Sequence, residues 1–554
     1  TIDSPGGAQT STVASGDLAR TTVAVRLEPG QRLRVTKLVA YGWSSQRTFP
    51  ALRAQVEGAL AGARQRGWEG LLADQRDYLD SFWDRADVEI TGDSELQQAV
   101  RFALFHLLQA GARAERRAIP AKGLTGPGYD GHTFWDTEMF VLPVLTYTVP
   151  DAAADALRWR HSTLQLARER AGVLDLKGAA FPWRTIRGQE CSGYWPASTA
   201  AVHVNADIAH AVTRYSIASC DEQFDREVGV EMLVETARLW RSLGHYDLEG
   251  GFRIDGVTGP DEYSALANNN LYTNLMAQSN LQDAADAAER YPDVAGSLGV
   301  TAEELAGWRS AAGAVVVAYD DVQGVHQQAA GFTRLQEWDF AGTPPSEYPL
   351  LLHFPYFELY RKQVVKQADL VLAMHVRGDA FTPAEKARNF DYYERLTVRD
   401  SSLSACTQSV VAAEVGHLDL AYDYAREAAL MDLDDLEHNV SDGLHMASLA
   451  GAWIATVAGF GGFRDHSETI CFAPRLPPRL SAITFRMIFR GRRLRVAIGR
   501  DTTTYQLAGV PMEVVHHGQP VMLTADRDVA LANPSPPRRA AATQPAGREP
   551  RRRS

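Results

Sequence analysis

Between about residues 96 and 459 the alternation of apolar and polar residues that marks strands nearly vanishes, and one helix-length segment follows another. Ile208, Val212 and Tyr215 recur at helical spacing, as do Met232, Leu239 and Leu243, and again Val364, Ala368 and Val371. Alanine-rich pairs such as 409–415 and 418–431, broken at Gly416-His417, read as helical hairpins. About a dozen such helices succeed one another, the number that a double ring of inner and outer helices around a central pocket requires. Periodicity sets the helices; it does not by itself close the ring.

Different patterns border this region. Residues 21–27 and 33–41 alternate like two strands turned at Pro29-Gly30. A hairpin needs a larger sheet to pack on, and the chain opens at Thr1 rather than a methionine, so 1–48 reads as the remnant of a truncated β-sandwich. Leu52, Val56 and Leu60, four residues apart, predict a helical linker, placed at 49–94, and the helical body takes 95–465. Alternation returns in 480–489, 492–499, 503–507 and 512–516, with turns at Gly491, Gly509 and Gly518, so 466–530 is expected to be a small antiparallel sheet domain. Residues 531–554, with Pro534, Pro536, Pro537 and six arginines, hold few apolar groups and are expected to be disordered, the Arg551-Arg552-Arg553 run being available to an anionic surface.

Charge and cysteine usage exclude whole classes of function. With 56 basic against 68 acidic side chains, a formal net charge of −12, a nucleic-acid-binding body is not expected. Cys191, Cys220, Cys406 and Cys471 lie far apart without metal-ligand spacing, which argues against a zinc site or a disulfide framework. No uninterrupted apolar run approaches the roughly 18 residues of a membrane span, and the basic-then-apolar plan of a signal peptide is missing. The expectation is a cytoplasmic protein with reduced thiols that acts on a small molecule.

Four stretches carry chemistry. Thr258-Gly-Pro-Asp-Glu-Tyr263 sets Glu262 on a loop stiffened by Pro260, beside an aromatic ring and ahead of three amides, Asn268 to Asn270, able to grip hydroxyls. A carboxyl against an aromatic face is poorly hydrated, so its neutral form is favoured and it can donate a proton near neutral pH, as cleavage of a glycosidic bond requires. The same spacing also fits a plain turn with Glu262 in solvent. In Gly131-His-Thr-Phe134-Trp135-Asp136-Thr-Glu138 an indole adjoins a carboxylate, a pairing that holds sugars by their C–H face and their hydroxyls, and one that equally serves a helix start with Asp136 as cap and Trp135 in the core. Lys366-Gln367 interrupts an apolar helix read over 364–374 and points either to the surface or into a polar pocket. Ser441-Asp-Gly443-Leu-His445-Met-Ala-Ser448-Leu-Ala-Gly451 opens a helix read to about 457, where small residues uncover backbone N–H groups and His445 and Ser448 add donors. That suits phosphate, although Asp442 opposes an anion and a structural histidine near a cap is the other reading. The polar and aromatic loop 187–196, with Gln189, Glu190 and Tyr194, is a candidate for a far sugar subsite.

Phe134-Trp-Asp-Thr-Glu138, Thr258 to Tyr263 with Asn269-Asn270 and Tyr272-Thr-Asn274, Val365-Lys-Gln-Ala-Asp369 and Asp442-Gly-Leu-His445 to Gly451 together resemble glycoside hydrolase family 65, which holds the inverting phosphorylases of maltose, kojibiose, nigerose and trehalose and a few hydrolases. The resemblance runs from about 21 to 526 and implies a mainly α fold: an N-terminal β-sandwich, here a partial remnant, a helical linker, an (α/α)6 barrel and a small C-terminal β-sheet domain. It implies Glu262 as general acid, Trp135 and Asp136 holding the transferred glucosyl ring with Lys366 and Gln367, and His445 and Ser448 with the N–H groups near Gly451 holding inorganic phosphate. Phosphate as nucleophile replaces the second carboxylate that an inverting hydrolase keeps about 6.5–9.5 Å from its acid to activate water. No metal or organic cofactor is implied. Gln189-Glu-Cys-Ser192, Tyr194 and Tyr263-Ser264-Ala265 look most similar to the trehalose phosphorylases, implying α,α-trehalose plus phosphate giving β-glucose 1-phosphate and glucose. The sequence departs at Asn268, where many relatives have Asp, which bears on the acceptor sugar. In relatives the N-terminal domain contributes to the pocket edge or a dimer contact, so a homodimer is among the expectations. A phosphate-independent hydrolase of trehalose or kojibiose type and a non-catalytic glucoside-binding relic are the alternatives.

Overall fold

The structure, a computed structural model, describes residues 2–3, 7–44, 47–111, 117–537 and 539–550. It divides into two compact units, Thr1–Asp84 and Arg85–Ser554.

In the first unit, strand Gln9–Ala14 pairs antiparallel with Ala19–Ala24, and Ile2–Asp3 pairs with Arg34–Val35. This replaces the hairpin read from 21–27 and 33–41. The turn falls instead at Ser15-Gly16-Asp17-Leu18, where the Ser15 N–H donates to the Leu18 carbonyl at 2.7 Å. Polar cross-strand pairs such as Thr12–Thr21, with hydroxyls 3.1 Å apart, fix the register. A long helix, Phe49–Ala86, follows and kinks at Gly67.

Among the described residues of the second unit, twelve helices form two rings, with further helices such as Leu164–Val173 in the connections: α1 (Ser94–Gly111), α2 (Leu142–Thr148), α3 (Pro150–Ser162), α4 (His203–Ser219), α5 (Val230–Leu243), α6 (Leu271–Arg290), α7 (Ala302–Ala314), α8 (Asp369–Val376), α9 (Pro383–Glu394), α10 (Ser404–Val415), α11 (Leu418–Leu430) and α12 (Met446–Ile454). The even-numbered helices each touch the next, and α12 returns to α2 and to the π turn Thr137–Val141 that leads into it, so the inner ring is closed. The odd-numbered helices pack outside them, α5 and α7 on α6, for example, and α11 on α10 and α12. This is an (α/α)6 barrel. Local sequence explains its joints: Asn270 caps α6 by accepting the Thr273 N–H, and Thr382 with Glu385 forms a reciprocal capping box at α9. Small residues let inner helices approach closely; a Cβ on Gly451 would stand 2.7 Å from that of Cys406 on α10.

A five-stranded antiparallel sheet, ordered Val529–Ala532, Thr502–Ala508, Arg492–Ile498, Ala482–Phe489, Val88–Thr91, rests against α2 and α4. Its alternation buries Ile483, Phe485, Met487 and Phe489 on one face. The segment before the barrel thus supplies an edge strand that the sequence reading left in a helical linker. The tail expected to be disordered from 531 is ordered where described. Val529–Ala532 is a strand, Pro545 and Pro550 are buried, and Arg539 and Arg548 donate to barrel carbonyls. Hydrogen bonds and ion pairs supply the order that apolar burial does not. The Arg551-Arg552-Arg553 run lies outside the described residues.

Candidate active site

The starts of four inner helices converge on one solvent-connected cleft of about 640 Å³. Trp135 and Asp136 precede the π turn into α2, Lys366 and Gln367 precede α8, Ser401, Ser402 and Leu403 precede α10, and His445 caps α12. Glu262 enters from the loop before α6, and Tyr129, Phe134 and Trp183 complete the walls. Helix starts carry unpaired N–H groups and partial positive charge, so this end of the barrel favours anions.

The acid loop is held from beneath by two buried carboxylates. Asp369 accepts the Asp261 N–H at 2.6 Å through one oxygen and the Asn270 amide at 2.7 Å through the other. Asp261 accepts the N–H groups of Lys366 at 2.9 Å and Tyr263 at 3.2 Å, and the Gln328 amide at 2.8 Å. Glu262 therefore sits between two pinned neighbours with its own carboxyl turned to the cleft. Burial raises the pKa of both supporting carboxylates, and the charge of Asp261 raises that of Asp369 further. Residue 259 must be glycine, since a Cβ there would lie 2.2 Å from the Asp369 carboxylate.

The expected surroundings of Glu262 are partly corrected. Tyr263 is buried away from it, its hydroxyl donating to Asp400 at 2.7 Å, and Asn268, Asn269 and Asn270 do not line the cleft: their amide oxygens accept the N–H groups of Gly256, Ile254 and Thr273. The neighbour that meets Glu262 is Lys366, with Nζ 2.6 Å from Oε2. Burial works against the lysine charge, but the Glu262 carboxylate beside it holds the ammonium above its ordinary pKa. Lys366 and Gln367 do not lie within a helix, as read from the apolar run. They form a bend before α8, after Val365 pairs with Thr397, and Asp261 takes the Lys366 N–H. Gln367 donates to the Pro260 carbonyl at 2.7 Å and accepts from Ser401 at 2.5 Å, tying the acid loop to the loop before α10.

Trp135 serves both readings, a buried side chain with its ring edge to face with His203 at 5.1 Å and also a wall of the cleft. Asp136 makes no capping bond at its helix start. Burial pushes it up to about 6, with the charges of Glu262 and Glu138 adding to the rise.

His445 is braced by Asp432, which accepts its backbone N–H and contacts Nδ1, both at 2.7 Å, while Nε2 lies 2.9 Å from Nζ of Lys122. A protonated lysine donating to Nε2 places the ring proton on Nδ1, toward Asp432. Lys122 is buried and also donates to the Gly443 carbonyl at 2.9 Å; burial lowers its pKa against the pull of Asp432 and Asp442. The sequence reading missed Lys122, a lone lysine in a loop rich in glycine and proline, and with it Tyr129, Trp183, Ser401 and Ser402. Ser448 and Gly451, assigned to phosphate, do not reach the cleft. The Ser448 hydroxyl is buried and donates to the Ala428 carbonyl at 3.2 Å, and Gly451 is the contact with α10. One helical turn past His445, the α12 surface already faces the barrel wall. Within the 187–196 loop, Glu190 accepts the N–H groups of Trp183 at 2.7 Å and Ser192 at 2.9 Å, so that loop sets the Trp183 wall. Among the described residues no cluster of His, Cys, Asp or Glu is arranged to hold a metal, and no helix is long and apolar enough to cross a membrane.

A closed six-fold helical barrel, with a carboxylic acid, aromatic walls and cationic donors at the starts of its inner helices, defines a carbohydrate-processing catalytic domain. The chain belongs to glycosyl hydrolase family 65. The family's central catalytic domain matches residues 101–454, its C-terminal domain 463–523 and its N-terminal domain 2–82. The last match corrects the reading of 1–48 as a truncated remnant: the family's N-terminal domain is represented here and extends into the long helix. The chain is 60% identical to an uncharacterized glycosyl hydrolase of Mycobacterium tuberculosis over 99% of its own length and 70% of that protein. It is 45% identical to the alpha,alpha-trehalose phosphorylase of Geobacillus stearothermophilus over 83% of its own length and 61% of that protein. A solved putative kojibiose phosphorylase from the human microbiome superposes with a TM-score of 0.82 at 29% identity, covering 88% of this chain and 66% of that one.

Proposed function

We propose that the protein is an inverting glycoside phosphorylase that transfers a glucosyl group from an α-glucosyl disaccharide to inorganic phosphate. Glu262 protonates the glycosidic oxygen, Trp135 and Asp136 hold the transferred ring, and phosphate enters beside His445 and Lys122 to attack the anomeric carbon from the opposite face. The observation that supports this reading is the Lys122–His445–Asp432 chain at the start of α12: His445 lines the cleft with Glu262 and is backed by the buried Lys122 ammonium, a positive charge beside the helix start that suits an anion. The reaction consumes no metal or organic cofactor, and we propose a cytoplasmic location, where phosphate is abundant.

For the disaccharide, α,α-trehalose is the first choice. It is supported by 45% and 40% identity to two alpha,alpha-trehalose phosphorylases against 33% to a kojibiose phosphorylase. Kojibiose is the second choice, supported by the superposition on the putative kojibiose phosphorylase. Hydrolysis also has a specific observation in its favour: Asp136 is a second carboxylate lining the cleft with Glu262, and the 60% identical relative carries a hydrolase name. Incubation with trehalose, kojibiose, maltose and nigerose, each with and without phosphate, separates these. Phosphate-dependent release of glucose 1-phosphate from one disaccharide supports the proposal; free glucose at equal rates without phosphate supports the hydrolase.

A further inference from the structure

Residues 533–537 and 539–550 follow the last strand of the sheet and lie beyond the match to the family's C-terminal domain. They turn back along the barrel. Arg539 Nε donates to the Val415 carbonyl at 2.7 Å and the Gln544 amide to Glu394 at 3.0 Å. Arg548 makes the most of the return. Its Nε donates to the Val398 carbonyl at 2.7 Å, its Nη2 to Asp400 at 2.7 Å, and its guanidinium lies 4.5 Å from the centre of the Tyr348 ring. From the barrel side, Arg399 donates to the carbonyls of Arg548 and Glu549.

Asp400 is the junction. Its carboxylate is 1% exposed, and the oxygen not bound to Arg548 accepts the Tyr263 hydroxyl at 2.7 Å and the Leu350 N–H at 2.9 Å. Tyr263 directly follows Glu262, and Asp400 directly precedes Ser401 and Ser402, so one buried carboxylate links the loops that form two walls of the cleft. Among the described residues Arg548 is the only base paired with it. Without that guanidinium the carboxylate would be buried with no counter-charge, and its bonds to Tyr263 and Leu350 would be lost or rearranged.

We propose that residues 539–550 form a strap behind the cleft, and that Arg548 is a positioning residue which, through Asp400, sets the Glu262 loop and the Ser401-Ser402 loop relative to each other. The kinetic consequence rests on the reading of Glu262 as the acid; the structural one does not.

The test uses the full chain with Arg548→Ala, Arg548→Lys and, as a strap contact remote from Asp400, Arg539→Ala. Arg548→Ala is expected to lower kcat by about 10- to 100-fold with a smaller change in KM, the effect of a slight misplacement of the acid. Added guanidinium ion is expected to restore part of that loss, and Arg539→Ala to leave kcat unchanged. Amide hydrogen exchange is expected to quicken at Leu350, whose N–H Asp400 accepts, and at 262–264 and 399–403, and not in parts of the barrel remote from Asp400. Exchange is read without turnover, so the strap is judged even if no disaccharide proves to be a substrate. Should Arg548→Ala not fold, Arg548→Lys, which keeps the charge but not the two-pronged bond, is expected to show the same local quickening. Unchanged exchange at both loops, a uniform rise across the barrel, or an active enzyme whose kcat ignores Arg548→Ala would overturn the proposal.

Discussion

The ammonium of Lys366 and the carboxylate of Glu262 meet at 2.6 Å on the wall of the cleft, the lysine from the segment before α8 and the glutamate from the loop before α6. Lys366 is itself fixed through its backbone N–H to Asp261, the residue preceding Glu262; an ion-paired carboxylate carries no proton, so in the proposed reaction Glu262 takes up its proton as this pair opens.

Replacing Glu262 by Gln keeps the shape and removes the proton. Turnover is expected to fall by about 10²- to 10⁴-fold, the usual worth of a positioned general acid, while the disaccharide still binds in calorimetry. Lys366→Ala is expected to cost less in kcat and to be partly rescued by an added alkylamine. Full activity in either variant would remove the residue from the mechanism.

Phosphate recognition is expected to follow the structure rather than the motif. Lys122→Ala and His445→Ala should raise the KM for phosphate at least about tenfold, the value of one lost charge-assisted hydrogen bond, with little change in the KM for the sugar. Ser448→Ala should leave phosphate KM alone and cost about 1 kcal/mol of stability, since its hydroxyl only bonds the Ala428 carbonyl. A phosphate defect in Ser448→Ala would restore the assignment made from sequence.

In the proposed reaction Asp136 trades stability for sugar binding. Burial raises its pKa in the folded protein from 3.8 to about 6. Below about pH 4 the group is neutral in both folded and unfolded chains and costs nothing; the cost grows from pH 4 to 6 and is complete above 6. Asp136→Asn is therefore expected to melt higher than the parent at pH 7, by the equivalent of about 1–3 kcal/mol, and to match it near pH 4, while losing most activity. A difference in melting temperature that does not vary with pH would contradict the assignment of that shift.

Gly259→Ala would drive a Cβ to within 2.2 Å of the Asp369 carboxylate beneath the acid loop. Overpacking of this kind costs about 1–3 kcal/mol, and the loop is expected to shift, lowering kcat more than sugar affinity. The Asn270 amide stands 2.5 Å from the same point, so Asp369→Ala does not clear the collision, and the double variant is expected to melt no higher than Gly259→Ala; a recovered melting temperature would contradict this account.

The barrel was legible because helical spacing repeats along 96–459, but its closure needed the contact of α12 with α2, which no local pattern encodes. Glu262, Trp135, Asp136 and His445 were found from motifs and all line the cleft. Ser448 and Gly451 lie off the cleft: a small-residue helix start looks alike whether it faces a ligand or another helix, and here Ser448 bonds the Ala428 carbonyl and Gly451 packs on Cys406. Lys122 escaped notice since its partner His445 is 323 residues away in sequence. The tail misled for a related reason: composition predicts whether a segment can build a core, and 539–550 is held by Arg548 and Arg539 on surfaces made by other parts of the chain.

The anomeric proton of the first product is the most direct witness. With trehalose or kojibiose and phosphate, proton NMR during the first turnovers is expected to show β-glucose 1-phosphate appearing in step with free glucose, and nothing without phosphate. Glucose formed alone at the same rate in phosphate-free buffer would contradict phosphorolysis.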